Sequence, residues 1–145
     1  MAKLRSHLIL FFALAVLSTL ALAADSDGYT VKIVYDKFIG NYLVNESGFT
    51  LYYYQNDSET MDSSTCYDNC SVLWPPFYAA ELNLPENLRS IDFGEITRTD
   101  GSKQTTFKGW PLYLYTKDNE PDEAQGRGVD GIWHVIDPDN QPQMI

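Results

Sequence analysis

The residues of this chain whose types and spacing could do chemistry begin with a cysteine pair. Cys66 and Cys70, the only two cysteines, have the Cys-x-x-x-Cys spacing of either a disulfide or a pair of thiolate ligands for copper. On one helical turn, residues four apart have Cα atoms about 6 Å apart, within disulfide reach. Asp62 and Asp68 disfavour a thiolate at Cys66 more than a helix N-terminus stabilises it. We therefore expect a disulfide; the alternative is an exported redox or copper-handling pair, with Met61 as a soft ligand.

Two acidic loops are the other candidates for a ligand site. Residues 57–62 (DSETMD) place carboxylates at 57, 59 and 62, and residues 118–123 (DNEPDE) place them at 118, 120 and 122. Alternating carboxylates suit a hard cation such as calcium. The glycine and the distant bidentate glutamate of a helix-loop-helix calcium site are missing. We therefore expect solvated turns and no cofactor, with calcium as the alternative.

Groups suited to catalysis are sparse. His134 is the one histidine beyond the N-terminal segment, and it lies between Trp133 and Val135 on an apolar stretch. A lone histidine on a strand is more often a packed residue than a catalytic base. The sequence contains no Gly-x-Ser-x-Gly elbow and no glycine-rich phosphate loop. We predict that the protein is not an enzyme.

The first residues predict export. Lys3 and Arg5 precede the apolar run LILFFALAVLSTLALA, which ends in small residues suited to cleavage. We expect residues 1–23 to be a cleaved signal peptide. Residues 24–145 are then one secreted domain that does not span the membrane, located in the periplasm, at the cell surface or outside the cell. Its cysteines meet an oxidising compartment.

The charge of the expected secreted part restricts its partners. Without Lys3 and Arg5, eight basic residues face 20 acidic ones, a formal charge of −12. Such a surface repels phosphate backbones and anionic lipids, which excludes nucleic acids and membrane surfaces as partners. The leading prediction is a non-enzymatic binding or structural module of the cell envelope or extracellular space. Cations and basic proteins are the partners that this charge admits.

The elements that must position these residues come in two copies. GFTLYYYQND (48–57) and GWPLYLYTKD (109–118) match at the glycine, the leucine, two tyrosines and the aspartate. Each stretch continues into an acidic loop and then a tryptophan. The sequence therefore predicts internal repeats at about 38–77 and 91–138. Their matched candidate residues are Tyr52, Tyr54, Asp57 and Trp74 in the first repeat, and Tyr113, Tyr115, Asp118 and Trp133 in the second.

Strand signals dominate both repeats. Alternating or apolar stretches at 29–36, 41–54, 91–109 and 131–138 predict strands, with turns at 45–48 and at Asp100-Gly101. One short helical turn is predicted around the cysteines, with Thr65 and Asp68 as a capping pair. We predict a mainly β fold: a compact barrel or sandwich of about eight strands, formed by two pseudo-symmetric meanders laid face to face.

The motif strands should be covered on both faces. Because side chains alternate along a strand, the two tyrosines of each motif share one face, and bulky apolar residues occupy the other. A buried tyrosine hydroxyl needs a partner. Asp57 and Asp118, at the strand ends, can accept from such a hydroxyl or cap the N–H groups of the following turn. The alternative is that the tyrosines form an exposed platform for a ligand.

The doubled Tyr-x-(Phe/Trp/Tyr)-x-x-Asp pattern resembles a family of predicted lipoproteins named for that motif, the secreted repeat of unknown function. SSTCYDNCSVLWPPF and the stretch 97–138 also resemble that family, so the likeness covers about residues 40–138. It implies export and a repeat fold, and it implies no activity. This chain departs from the family in lacking the cysteine of a lipid anchor. It also has Pro121-Asp122-Glu123 and Gly126-Arg127-Gly128 in place of Pro-Gly-Asp and Gly-Gln-Gly.

Overall fold

The computed structural model describes residues 28–59 and 63–142 of the 145-residue chain. The expected signal peptide, Met61 and Asp62 lie outside the described residues. Strands are β1 Val31–Asp36, β2 Gly40–Asn45, β3 Tyr52–Tyr54, β4 Phe93–Thr97, β5 Lys103–Phe107, β6 Trp110–Pro111 and β7 Trp133–Val135. One short α-helix, α1, spans Asn69–Leu73, and 3-10 turns span Gln55–Glu59, Ser90–Asp92 and Val129–Gly131. The fold is mainly β, as predicted. In the described ranges, no helix has the length and apolarity needed to cross a membrane.

The strands form three small antiparallel sheets. β1 pairs with β2, β3 pairs with β7, and β4, β5 and β6 form the third sheet in that order. The sheets do not close into a barrel. Neither the barrel nor the sandwich of the sequence prediction is therefore confirmed.

Two glycine turns fix the register of the third sheet. The predicted Asp100-Gly101 turn lies in the β4–β5 loop, where Gly101 has a φ of 85°. Lys108 and Gly109, with φ values of 49° and 89°, join β5 to β6 as a two-residue turn, and Phe107 lies opposite Trp110. Two consecutive positive φ angles give the twist that suits a tight hairpin.

Tyr52 and Tyr113 mark a pseudo-twofold axis between the repeats. The Tyr52 N–H donates to the Tyr113 carbonyl, and the Tyr113 N–H donates to the Tyr52 carbonyl, both at 2.9 Å. These two residues occupy the same position of the two motifs. Equivalent residues lie directly opposite each other in an antiparallel pair when a twofold axis passes between them. The duplication read from the sequence is therefore a structural symmetry as well.

The last strand of each repeat lies in the other repeat. β7, from the second repeat, pairs with β3 in the first. Residues 75–77, from the first repeat, pair with the second motif strand: Leu114 N–H donates to Pro75 O and Phe77 N–H donates to Leu112 O, both at 2.8 Å. We call β7 and residues 75–77 the exchanged strands. The repeats are thus interlocked, and the predicted face-to-face packing of two meanders is not confirmed.

Two apolar clusters cover opposite faces of the motif strands. One contains Leu43, Leu51, Phe107, Leu112 and Ile136, all at most 1% exposed. The other contains Tyr52, Cys66, Trp74, Tyr113, Tyr115 and Trp133. The motif strands alternate between these clusters, as the period of two predicts.

The helix begins later than predicted. α1 starts at Asn69, after Asp68, whose φ of 52° breaks the helical path, and no side chain caps its first turn. Thr65 does not cap this helix, because its N–H and hydroxyl both donate to Asp57 Oδ1 at 2.7 Å. The buried carboxylate is the stronger acceptor for these groups.

Candidate functional site

The motif tyrosines and aspartates are hydrogen-bonded across the two repeats. The Tyr52 hydroxyl donates to Asp118 Oδ2, and the Tyr113 hydroxyl donates to Asp57 Oδ2, both at 2.7 Å. All four side chains are buried. Each phenol therefore bonds the aspartate of the other repeat and not the one at the end of its own strand. The pseudo-twofold axis makes the two bonds equivalent.

Each aspartate uses its second oxygen to hold the loop that follows it. Asp57 Oδ1 accepts from the N–H and the hydroxyl of Thr65. Asp118 Oδ1 accepts from the Gln125 N–H at 2.9 Å. The sequence offered two alternative roles for each aspartate, phenol acceptor and turn cap. In the structure each carboxylate has both roles, one on each oxygen.

Burial sets the electrostatics of this network. It raises the pKa of Asp57, although hydrogen bonds from Thr65 and Tyr113 and the charge of Arg98 oppose the shift. It likewise raises the pKa of Asp118, against hydrogen bonds from Tyr52. Burial and the neighbouring carboxylates raise the pKa of both phenols, which therefore stay protonated as donors.

The motif rings form one stack across the axis. Trp74 and Trp133 lie face to face with centroids 3.8 Å apart and planes 2° apart. Tyr115 stacks on Trp74 at 4.0 Å, and Tyr54 stacks on Trp133 at 4.4 Å. Tyr52, fully buried, meets the edge of the stack. The motif residues therefore lie at the centre of the fold. Tyr52 and Tyr113 are fully buried, so these two residues do not form the exposed platform that the sequence offered as an alternative.

Arg98 is bonded to the network of Tyr113 and Asp57, and the sequence analysis did not identify this residue. Its side chain is 3% exposed, and its Nη1 donates to Ser64 Oγ at 2.9 Å and to Gln104 Oε1 at 2.7 Å. Ser64 Oγ lies 2.6 Å from the Tyr113 hydroxyl. A buried cation is thus linked to the buried Asp57 through two hydroxyls. An arginine beside a predicted Asp-Gly turn carries no sequence signal of burial.

The cysteines form the predicted disulfide. Cys66 and Cys70 are bonded, with Cα atoms 5.3 Å apart. Cys66 is fully buried, and its carbonyl accepts from Arg98 Nη2 at 2.5 Å. Both sulfurs are occupied by the bond, so neither is a free thiolate in this form. The pair staples the loop after Asp57 to the start of α1.

The second acidic loop directs its carboxylates at its own chain. Glu123 Oε2 accepts from the N–H groups of Asn119 and Glu120, at 2.6 and 3.2 Å, while Asp118 points inward to Tyr52. In the first loop, the described carboxylate, Asp57, is bonded to Tyr113 and Thr65. Over residues 28–59 and 63–142, no three His, Cys, Asp or Glu side chains are grouped to hold a metal ion.

His134 is a packed strand residue. Its ring lies 5.1 Å from the Tyr53 ring, and Nε2 lies 3.2 Å from Gln55 Oε1. Burial and the positive charge of Arg127 lower the pKa of His134. The neutral imidazole is therefore favoured, hydrogen-bonded to an amide and not to a nucleophile.

A separate cavity of about 610 Å³ lies outside the motif stack. Three segments line it: Gly28–Thr30 before β1, Glu46 and Ser47 after β2, and Tyr78, Ala79 and Glu81 after the first exchanged strand. This volume lies within the range of small-molecule sites, although the cavity is an open cleft whose lining residues Glu46, Ser47, Tyr78 and Glu81 are exposed. No spacing in the sequence predicts it, because its walls come from three distant parts of the chain.

Hydrogen bonds hold two of these walls together. The Thr30 N–H donates to the Asn83 carbonyl at 2.8 Å, and the Asn83 N–H donates back to Thr30 Oγ1 at 3.0 Å. The Asn83 amide also donates to the Gly28 carbonyl at 2.9 Å. Within the third segment, the Ala79 N–H donates to Thr105 Oγ1 at 3.0 Å. The cavity is therefore preformed on the folded chain.

The lining of the cavity has one sign of charge. It contains the carboxylates Glu46 and Glu81 and the aromatic rings Tyr29 and Tyr78, and its described residues include no lysine and no arginine. Carboxylates attract cations, and the face of an aromatic ring does the same. This chemistry suits an organic cation.

Comparison with known proteins identifies the repeats. The chain matches the family described as secreted repeat of unknown function over residues 35–78 and 94–137, which together are more than half of its length. Each matched range contains one tyrosine motif. No curated protein and no solved structure matches the chain. The family's description confirms the extracytoplasmic location expected from the sequence. The chain belongs to this family of secreted repeats.

Proposed function

We propose that this protein is an exported, non-enzymatic binding module, and that it holds a small organic cation in the cavity beside Tyr78. The observation that carries the proposal is the preformed cavity, with carboxylates and aromatic rings and no basic residue in its described lining. The cell envelope or the extracellular space is where such a module meets its ligand.

The motif residues support a scaffolding part in this function. The tyrosine hydroxyls and aspartate carboxylates use their hydrogen-bonding capacity on each other and on nearby loops. A nucleophile or a general base must be able to contact the substrate, and groups bonded to each other are not available for this. The cavity lies outside this network and combines a concave surface with polar and aromatic side chains in its lining.

The overall charge favours a cationic ligand. The chain carries a formal net charge of −10, which raises the local concentration of cations and increases their rate of encounter. Exposed carboxylates such as Glu46 and Glu81 interact more weakly as salt screens them. Binding should therefore weaken as ionic strength rises.

The test is a titration of the exported protein with small probes, in which NMR or calorimetry measures binding. The probes are butylammonium, tetramethylammonium, guanidinium and, as neutral and anionic controls, butanol and butyrate. We expect the cations to bind and the controls not to bind. Tyr78→Ala and Glu81→Gln should each weaken cation binding at least threefold. The matched controls Tyr35→Ala and Glu86→Gln replace exposed residues outside the cavity and should leave it unchanged. Equal binding of all five probes, or binding insensitive to Tyr78→Ala, would contradict the proposal.

A further inference from the structure

The second repeat contains a counterpart of the cavity wall. Ser47 directly precedes the first motif glycine, as Lys108 directly precedes the second. Ala79 follows Trp74 by the same number of residues as Pro138 follows Trp133. Ser47 and Ala79 both line the cavity. Lys108 and Pro138 therefore show what the second repeat places at the corresponding positions.

In the second repeat, a lysine side chain joins these two positions. Lys108 Nζ donates to the Pro138 carbonyl at 3.1 Å. Burial opposes ionisation of the adjacent Asp137, yet hydrogen bonds within residues 137–140 and the charge of Lys108 hold the pKa of this carboxyl below its usual value. The ammonium thus has a carbonyl acceptor and a carboxylate close by.

The corresponding loop of the first repeat has no lysine and is one residue longer: the Asn45 N–H donates to the Phe49 carbonyl across three residues, whereas two residues separate the paired Phe107 and Trp110. Ser47 replaces a four-carbon ammonium side chain with a hydroxymethyl group, and the space beside it is part of the open cavity. Tyr78 takes the position of Asp137 by the same count from the tryptophan. Glu46 and Glu81 supply the negative charge there. The second repeat therefore places the Lys108 ammonium here, whereas the counterpart residues Ser47 and Tyr78 of the first repeat carry no ammonium.

From this comparison, and resting on the proposed function, we propose that the cavity binds a primary alkylammonium group in the place that Lys108 fills in the second repeat. The group is either a free alkylamine or the side chain of a lysine in a partner protein. Both have the same chemistry: an extended alkyl stem that ends in three N–H donors.

Hydrogen-bond donors distinguish this group from other organic cations. A primary ammonium can donate to the Ala79 carbonyl, as Lys108 does to Pro138, and to the carboxylates of Glu46 and Glu81. A quaternary ammonium has no N–H and keeps the attraction to the tyrosine faces alone. The alkyl stem covers apolar lining, as long basic side chains do elsewhere.

The experiment compares butylammonium with tetramethylammonium, and the exported protein with its Ser47→Lys variant. We expect butylammonium to bind at least tenfold more tightly than tetramethylammonium. Ser47→Lys places the residue of the second repeat in the first, so it should weaken butylammonium binding at least tenfold without lowering the melting temperature. Tyr35→Lys, which adds the same charge outside the cavity, should change binding less than twofold.

Two further probes identify the source of the group. A peptide with a single lysine that binds at least tenfold more tightly than butylammonium indicates a protein partner, provided that Nε-acetylation of the lysine abolishes binding. Equal or weaker binding of the peptide indicates a free amine. Both outcomes support a primary ammonium as the ligand group.

The failures of the two proposals are distinguishable. If tetramethylammonium binds as tightly as butylammonium and Tyr78→Ala weakens both, the protein binds organic cations, and the proposed preference for a primary ammonium is wrong. If Ser47→Lys retains full butylammonium binding, the correspondence with Lys108 is also wrong. If no cation binds at all, both proposals fall.

Discussion

Removal of the Tyr113 hydroxyl should destabilise the fold by an amount that depends on pH. Tyr113→Phe deletes the donor to Asp57 Oδ2 and the contact with Ser64 Oγ, at 2.7 and 2.6 Å, and keeps the ring that packs in the stack. A hydrogen bond to a charged group contributes about 1.5–3 kcal/mol. For a domain of this size, that predicts a fall in melting temperature of roughly 6–12 °C at neutral pH.

The pH dependence follows from the buried carboxylate. Burial raises the pKa of Asp57 above its ordinary value of 3.8 in the folded protein. Its contribution to stability is therefore fully present below that ordinary value and is lost as the pH rises through the raised pKa. The Tyr113 hydroxyl offsets this loss by stabilising the ionised form. Tyr113→Phe should thus cost most at neutral pH, and its cost should fall as the pH drops through the raised pKa and Asp57 becomes protonated.

The assay is urea or thermal unfolding of wild type and variants at pH 7 and at about pH 4. Tyr52→Phe should behave like Tyr113→Phe, because its hydroxyl donates to Asp118 in the same way. Tyr115→Phe is the matched control, a motif tyrosine whose ring is buried in the same stack without a hydroxyl bond to Asp57 or Asp118. Our reasoning is refuted if Tyr113→Phe costs no more than Tyr115→Phe, or if its cost is the same at both pH values.

Three further predictions concern stability, each measured as a change in unfolding free energy. Gly126→Ala should cost about 1–3 kcal/mol, because a Cβ there lies 2.7 Å from the Trp74 ring; an unchanged melting temperature contradicts this. Asp122→Gly should add up to about 1 kcal/mol, because Asp122 has a φ of 64°, which glycine adopts without strain; a loss of stability counts against it. Cys66→Ala with Cys70→Ala should remove about 2 kcal/mol and leave the far-ultraviolet circular dichroism intact, because the closed loop is short; loss of the folded spectrum contradicts that expectation.

The motif predicted the local features of the fold well. Alternation along GFTLYYYQND and GWPLYLYTKD placed the tyrosines on one face and the leucines on the other, where the two apolar clusters lie. The spacing of Cys66 and Cys70 within an exported chain predicted their disulfide. These features depend on neighbours in the sequence, and a period of two or a gap of four residues is enough to read them.

Features that join distant residues were not readable in this way. Tyr52 bonds Asp118 and not Asp57, across the pairing of the two motif stretches at Tyr52 and Tyr113, and no single-repeat pattern encodes that pairing. Arg98 was missed because its turn position indicates exposure. The cavity was missed because its lining residues come from three segments, 28–30, 46–47 and 78–81, which meet only in the folded chain. Periodicity describes each element, and the fold decides their partners.

The exchange of strands has a consequence for how such a chain can diversify. A polypeptide with one repeat could complete its sheet only by trading its last strand with an identical molecule, as a symmetric homodimer in which every change appears twice. Joining two copies in one chain removes that constraint. One half can then keep a lysine that satisfies its own carbonyl acceptor, while the other half carries a different residue at the counterpart position.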